Sequence, residues 1–136
     1  MIEPVTLAFV LAGRPPSPNE SRRGHWGANS AKARTWREAA YLSALDAVRR
    51  SGRADACPLR RARVDVVYFL DRATGDLDNL LAGSKPILDG ISRGLGARGE
   101  RGPLLHDDGV GCLEEIRVRW RRGRTAAVEV RVTEVI

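Results

Sequence analysis

The stretch 61–70 constrains the fold most, because its side chains alternate along one face as they do in a β-strand. Val67 and Phe69 point to the opposite face. A strand that is apolar on both faces is typical of the centre of a sheet covered on both sides, so we expect a central strand here. The residues that share its principal face are Ala62, Val64, Val66, Tyr68 and Leu70.

Other segments of the chain show strand or helix patterns. A strand is predicted at 5–11, and a helix from a cap at Asn29 or Ser30 to about residue 50, before Ser51 and Gly52. A helical stretch at about 78–93 is interrupted by Gly83, Ser84 and Pro86, and Ser84 could cap a second segment. The remaining two strands, at 116–120 and 126–132, are predicted to form a hairpin.

This order, β-α-β-α-β-β, predicts an α/β or α+β fold in which helices pack on a mixed sheet. The length of 136 residues suits one domain covering 1–136. Cys57 and Cys112 have neither disulfide nor metal spacing, as in proteins of a reducing cytosol. No apolar run approaches the ~18 residues of a membrane span, and no leader pattern is seen, so we expect a cytoplasmic protein without membrane contact.

The chain is strongly basic, with 23 Lys and Arg residues and a formal net charge of +6. An excess of this size favours polyanionic partners, nucleic acid before anionic membranes. Only Lys32 and Lys85 are lysines, so arginine supplies most of the positive charge. Arginine binds phosphate through two parallel hydrogen bonds. A preference for arginine over lysine also arises in proteins encoded by a GC-rich genome.

Two acidic clusters carry the most chemical information. Asp76 and Asp78 follow the central strand and project to the same side in extended chain, where their mutual repulsion favours a cation between them. Asp107 and Asp108 precede the next strand and would reach the same end of the sheet if that strand lies beside the central one. Three converging carboxylates suit Mg²⁺ and phosphodiester cleavage. The alternative is that these aspartates only cap a helix and a turn.

Four segments in this order resemble the RusA family of Holliday junction resolvases. The segment 15–19 (PPSPN) resembles the family's P-P-S-x-N, and 76–80 (DLDNL) matches its D-L-D-N-L core. The run 85–90 (KPILDG) is similar to its K-P-x-L-D-A/G, and 107–108 match its D-D pair. The likeness extends from end to end of the chain. One departure is the lysine, which follows Asp78 by seven residues where the family usually has four.

The resemblance implies a RusA-like fold and a homodimer that binds four-way DNA junctions in recombination and repair. With Mg²⁺, for which Mn²⁺ could substitute, such a dimer nicks two opposed strands symmetrically. Asp76, Asp78 and Asp108 fall on the family's metal-binding catalytic aspartates, and Lys85 falls on its essential lysine. Asn79 would orient a metal-bound water or help to cap the helix.

Loop arginines are candidates for contacts with the DNA backbone, which position a protein and make its affinity depend steeply on salt. An equally good explanation of these arginines is that they only form a solvated surface. The candidate DNA-binding arginines are Arg14, Arg22, Arg23, Arg93, Arg98 and Arg101.

Two other interpretations of the whole chain remain. One is a non-catalytic junction-binding homologue of the same fold, and the other is an unrelated basic interaction protein whose aspartates are caps.

Overall fold

Strands and helices follow one another in the predicted order. The structure is a computed structural model that describes residues 3–14, 26–71, 77–95, 102–107 and 109–136, with only the backbone of 26–30 and 78. Its elements are β1 (Thr6–Ala12), α1 (Trp26–Ser51), a 3-10 turn (Ala54–Ala56), β2 (Ala62–Leu70), α2 (Leu77–Gly83), α3 (Lys85–Arg93), β3 (Leu113–Arg122) and β4 (Ala127–Glu134).

The four strands form one mixed sheet in the order β1-β4-β2-β3, which confirms the predicted fold class. β4 is antiparallel to both β1 and β2, whereas β3 is parallel to β2. The predicted hairpin of the last two strands is wrong, because β2 lies between β3 and β4. The connection from β3 to β4 instead crosses the end of β2, where the Gly123 N–H donates to the Leu70 carbonyl at 3.0 Å.

Glycine is required at that crossing. A Cβ atom at Gly123 would lie 2.9 Å from the Cβ of Phe69, closer than real side chains approach. The backbone can therefore pass over the end of β2 only where the side chain is absent. This crossing places β4 on the far side of β2 from β3.

The described helices cover one face of the sheet. Val64, Val66 and Tyr68 of β2 are buried beneath them, whereas Val67 and Phe69 on the opposite face are half-buried. The prediction that β2 is covered on both sides is therefore wrong, although its central position is confirmed. Helix α1 packs on α3 and β1, and α2 packs against β3. Among the described residues, no helix is both long and apolar enough to cross a bilayer.

Helix boundaries agree with the sequence patterns at all points but one. Helix α1 begins at Trp26, so the cap expected at Asn29 or Ser30 is wrong. The broken helix at 78–93 is confirmed as α2 and α3, with Ser84 between them. The Ser84 hydroxyl does not cap α3 but lies 2.9 Å from the Leu80 carbonyl oxygen.

A buried hydrogen-bonded cluster holds the break between α2 and α3 against the sheet. The Tyr68 hydroxyl lies 2.7 Å from the Leu80 carbonyl oxygen and 2.7 Å from the Ser84 hydroxyl. Tyr68 and Ser84 are almost fully buried. Burial raises the pKa of Tyr68, while the Ser84 hydrogen bond and the charge of Arg14 act in the opposite direction. The cluster fixes both helix ends at the level of Tyr68, near the last residue of β2.

Helices α1 and α3 cross at Gly90, and Gly90→Ala is expected to destabilise the protein by about 1–2 kcal/mol. An added Cβ would lie 2.4 Å from the Arg37 carbonyl oxygen and 3.0 Å from the Cβ of Ala40, so the helices must separate. Overpacking costs about 1–3 kcal/mol and outweighs the gain of about 1 kcal/mol in helix propensity. Urea denaturation followed by circular dichroism measures the change.

Gly111→Ala is the matched control, because no heavy atom lies within 4 Å of its added Cβ. Its free energy of unfolding should stay within about 0.5 kcal/mol of the wild-type value. Equal stability of the Gly90 and Gly111 variants would contradict the close crossing of α1 and α3.

Candidate functional site

Three strands of the sheet end on the same side. β1 and β2 are both antiparallel to β4, and β3 is parallel to β2, so β1, β2 and β3 run in one direction. We call the side at which they end, marked by Ala12, Leu70 and Arg122, the upper end. The opposite side, marked by Ala62 and Leu113, is the lower end.

Three of the predicted site residues lie at the upper end. Arg14 is exposed two residues after β1, and its charge acts on the Tyr68 hydroxyl. Asn79 is half-buried in α2, next to the residue whose carbonyl contacts Tyr68. Lys85 is the first residue of α3 and directly follows Ser84 of the buried cluster. The structure therefore brings Arg14, Asn79 and Lys85 to one end of the sheet.

The predicted metal ligands fall largely outside the described residues. Asp76 and Asp108 are not described, and only the backbone of Asp78 is, as the second residue of α2. Among the described residues, no group of three or more His, Cys, Asp or Glu side chains could hold a metal. Three carboxylates match the oxygen ligands that Mg²⁺ prefers, so the donor chemistry fits. Outside the described residues lie also Arg22, Arg23, Arg98 and Arg101.

The neighbours of Asp108 in the sequence lie at the lower end. The Gly109 carbonyl accepts a hydrogen bond from the Leu113 N–H at 2.8 Å, at the start of β3. The His106 N–H donates to the Leu59 carbonyl at 2.9 Å, just before β2. Arg93, which is exposed, ends α3 beside this segment, because the Ile91 carbonyl accepts from the Leu105 N–H at 3.0 Å.

The described neighbours of the two acidic segments therefore lie at opposite ends of β2 in one copy of the chain. The strand after Asp108 is expected to lie beside the central strand, which is confirmed. Because β3 runs parallel to β2, His106 and Gly109 lie at the lower end. Asp108 itself lies outside the described residues. Tyr68 and Ala62 are six residues apart along β2, or roughly 20 Å at 3.3 Å per residue. That Asp76, Asp78 and Asp108 share a site stays a prediction.

Lys85 lies in a groove of about 440 Å³ between α1 and α3. Its Nζ atom lies 2.9 Å from Oδ1 of Asp89, and the lysine side chain is 60% exposed. An exposed ion pair contributes little free energy, so an incoming phosphate can compete with Asp89 for Lys85 at small cost. The groove is lined by Ala33, Arg34, Arg37, Glu38, Lys85, Pro86, Asp89 and Leu95.

Two arginines of this groove were missed by the sequence reasoning. Arg34 and Arg37 are three residues apart on α1 and so lie on one face of the helix, a spacing that could have drawn attention to them. The Arg37 Nε–H donates to the Gly94 carbonyl at 2.8 Å, which ties α1 to the end of α3. With Lys85, they give the groove three cations against the carboxylates of Glu38 and Asp89.

Further arginines add positive charge to the upper end. Arg122 is the last residue of β3, and Arg124 follows in the connection to β4; both are exposed. Neither was given a role by the sequence reasoning. Together with Arg14 and Lys85 they make the upper end of the sheet a basic surface.

Two comparisons of the sequence with known proteins assign no relative. Neither a scan against protein-family models nor a search of curated proteins found a match to this chain. The likeness to RusA resolvases therefore depends on the motifs quoted above, and the function has to be argued from the residues and their placement.

Proposed function

We propose that this chain is a magnesium-dependent endodeoxyribonuclease that resolves four-way DNA junctions by paired nicks, in recombination and repair. The observation that supports this most is the convergence at the upper end. The helix that carries Asp78 follows β2 at this end, where Lys85 and Arg14 also lie. Carboxylates surrounded by cations are the combination that a metal-assisted cut in a phosphate backbone requires.

The basic surface accounts for binding to the DNA backbone. With a net charge of +6, the chain attracts phosphates at long range. Arg14, Arg122 and Arg124 would hold the phosphates on either side of the scissile bond, and they position the DNA without reading its sequence. Lys85, after releasing Asp89, would neutralise the charge that builds on the phosphoryl oxygens during attack.

The metal would be held by Asp76, Asp78 and Asp108. Bound Mg²⁺ supplies the charge that activates water and stabilises the leaving oxygen. Because the neighbours of Asp108 lie at the lower end of their own sheet, we propose that Asp108 is provided by a second copy of the chain. A two-fold symmetric dimer then has two equivalent sites, which suits two symmetric cuts.

Cleavage of a synthetic four-way junction tests this function. The purified chain is incubated with end-labelled junction in Mg²⁺, Mn²⁺ or EDTA, and with a linear duplex of the same sequence as control. We expect paired nicks at symmetric positions in the junction with either metal, and an intact duplex. Binding without nicks would favour the non-catalytic DNA-binding homologue, and failure to bind the junction would contradict both functions.

A further inference from the structure

The strand β3 forms an edge of the sheet with an unusual composition. Within the described part of the chain, it pairs with β2 on one side only. Its ten residues, LEEIRVRWRR, contain no glycine or proline. Edge strands of natural proteins are usually short or interrupted, since a long regular edge offers a row of backbone groups to another strand. β3 is therefore well suited to pair with a further strand.

The apolar side chains of β3 are only partly covered. Ile116, Val118 and Trp120 point towards the helices but remain half-exposed. On the opposite edge, by contrast, Leu7 and Leu11 of β1 are each 4% exposed. The indole N–H of Trp120 is buried, and no acceptor for it is found among the described residues. One copy of the chain thus covers the β1 edge well and the β3 edge incompletely.

The charges of β3 are complementary to those of a second β3 running the other way. Glu114 and Glu115 lie at the beginning of the strand, and Arg121 and Arg122 lie at its end. An antiparallel copy sets the beginning of one strand opposite the end of the other. Opposite charges on directly facing residues stabilise a strand pair.

We propose that β3 pairs with β3 of a second copy about a two-fold axis at Val118, so that two four-stranded sheets become one of eight strands. In this register Glu114 faces Arg122, Glu115 faces Arg121, and Ile116 faces Trp120. Two-fold symmetry requires directly opposed residues to point to the same face, which excludes a shift of one residue. A shift of two residues in either direction sets a charged residue opposite an apolar one, Glu114 opposite Trp120 or Ile116 opposite Arg122.

The existing ion pairs of β3 do not oppose this pairing. Glu114 contacts Arg61, and Glu115 contacts Arg117, but the arginine side chains are 56% and 57% exposed. Exchange of partners between exposed charges costs little. Arg117 and Arg119 would face each other across the axis, where Asp65, which lies 3.4 Å from Arg119, reduces their repulsion.

The same pairing joins opposite ends of the two sheets. Leu113 of the second copy would face Gly123, whose N–H contacts Leu70 at the upper end. The lower-end segment of one copy, including Gly109, therefore arrives at the upper end of the other. The proposed metal site requires this arrangement, but the interface depends on the residues of β3 alone and not on nuclease activity.

Oxidative cross-linking of V118C tests the axis. Facing residues of antiparallel strands have Cα atoms about 4.5–5.5 Å apart, within the range of a disulfide. V118C should thus form a covalent dimer on a non-reducing gel. I116C is the matched control. Its two cysteines would lie four residues apart along the paired strands, or about 14 Å, and should remain uncrosslinked. Both variants keep Cys57 and Cys112, so any background from these is common to them.

Charge exchange tests the register. The variant E114R/E115R should raise the dimer dissociation constant at least about tenfold in analytical ultracentrifugation. Adding R121E/R122E restores opposite charges across the axis and should restore the dimer. The proposal is overturned if the wild type is monomeric, if its dimer survives E114R/E115R, or if V118C forms no more covalent dimer than I116C. None of these measurements uses metal or DNA, so they can fail while junction cleavage succeeds, and the reverse.

Discussion

Asp78→Asn is expected to lower the rate of junction cleavage by at least about a hundredfold, the largest single-residue effect that the account predicts. The amide keeps the size of the carboxylate but loses its charge, so the affinity for Mg²⁺ should fall with the rate. Stability should change little, since asparagine serves as well as aspartate near a helix start. Cleavage assays and calorimetric titration with Mg²⁺ measure the two effects.

The matched control is Asp46→Asn, which removes an equally charged side chain from an exposed pair with Arg50 on α1. Its cleavage rate and its affinity for Mg²⁺ should equal those of the wild type. If Asp78→Asn leaves both the cleavage rate and the affinity for Mg²⁺ unaltered, the aspartates at the start of α2 are not metal ligands, and the metal site is wrong.

Mixing two inactive variants is expected to restore activity, which is the second large effect. Asp78→Asn and Asp108→Asn each remove a ligand from both sites of a dimer, so each alone should be inactive. In a mixed dimer with shared sites, one site has lost both ligands and the other has kept all of them. Random exchange of equal amounts makes half of the dimers mixed, so about a quarter of the sites recover.

Local patterns in the sequence were sufficient to predict most elements of the fold. Alternation of apolar residues located β1 and β2, because a sheet with one covered face imposes that period. Glycine and proline at 83 and 86 indicated the break between α2 and α3. The start of α1 was not predicted correctly. Asn29 and Ser30 are typical cap residues, but here the helix begins at Trp26 and continues through them.

Strand neighbours could not be read from the same patterns. Alternation shows which side chains share a face but not which strand lies alongside, so β3 and β4 were taken for a hairpin. A signal was nevertheless present, since two helices separate β2 from β3, and a helical crossover usually joins parallel strands. Recognising that crossover would also have placed the segment before β3 at the lower end.

Local motifs indicate only part of what surrounds the candidate residues. Lys85 and Arg14 both lie at the upper end, and a site shared with the aspartates stays a prediction. Arg34 and Arg37 were missed because they belong to α1, which is distant in sequence and reaches Lys85 only through the crossing at Gly90. Such neighbours depend on the packing of helices rather than on any local motif.

The recovery of activity on mixing tests most directly whether distant carboxylates from two copies form one metal site. Equal amounts of the Asp78→Asn and Asp108→Asn proteins are exchanged, then assayed on a four-way junction in Mg²⁺, with each variant alone as control. We expect about a quarter of the wild-type site activity, released as single nicks because a mixed dimer has one intact site. If the wild type cuts the junction but the exchanged mixture remains as inactive as its components, the shared site is contradicted.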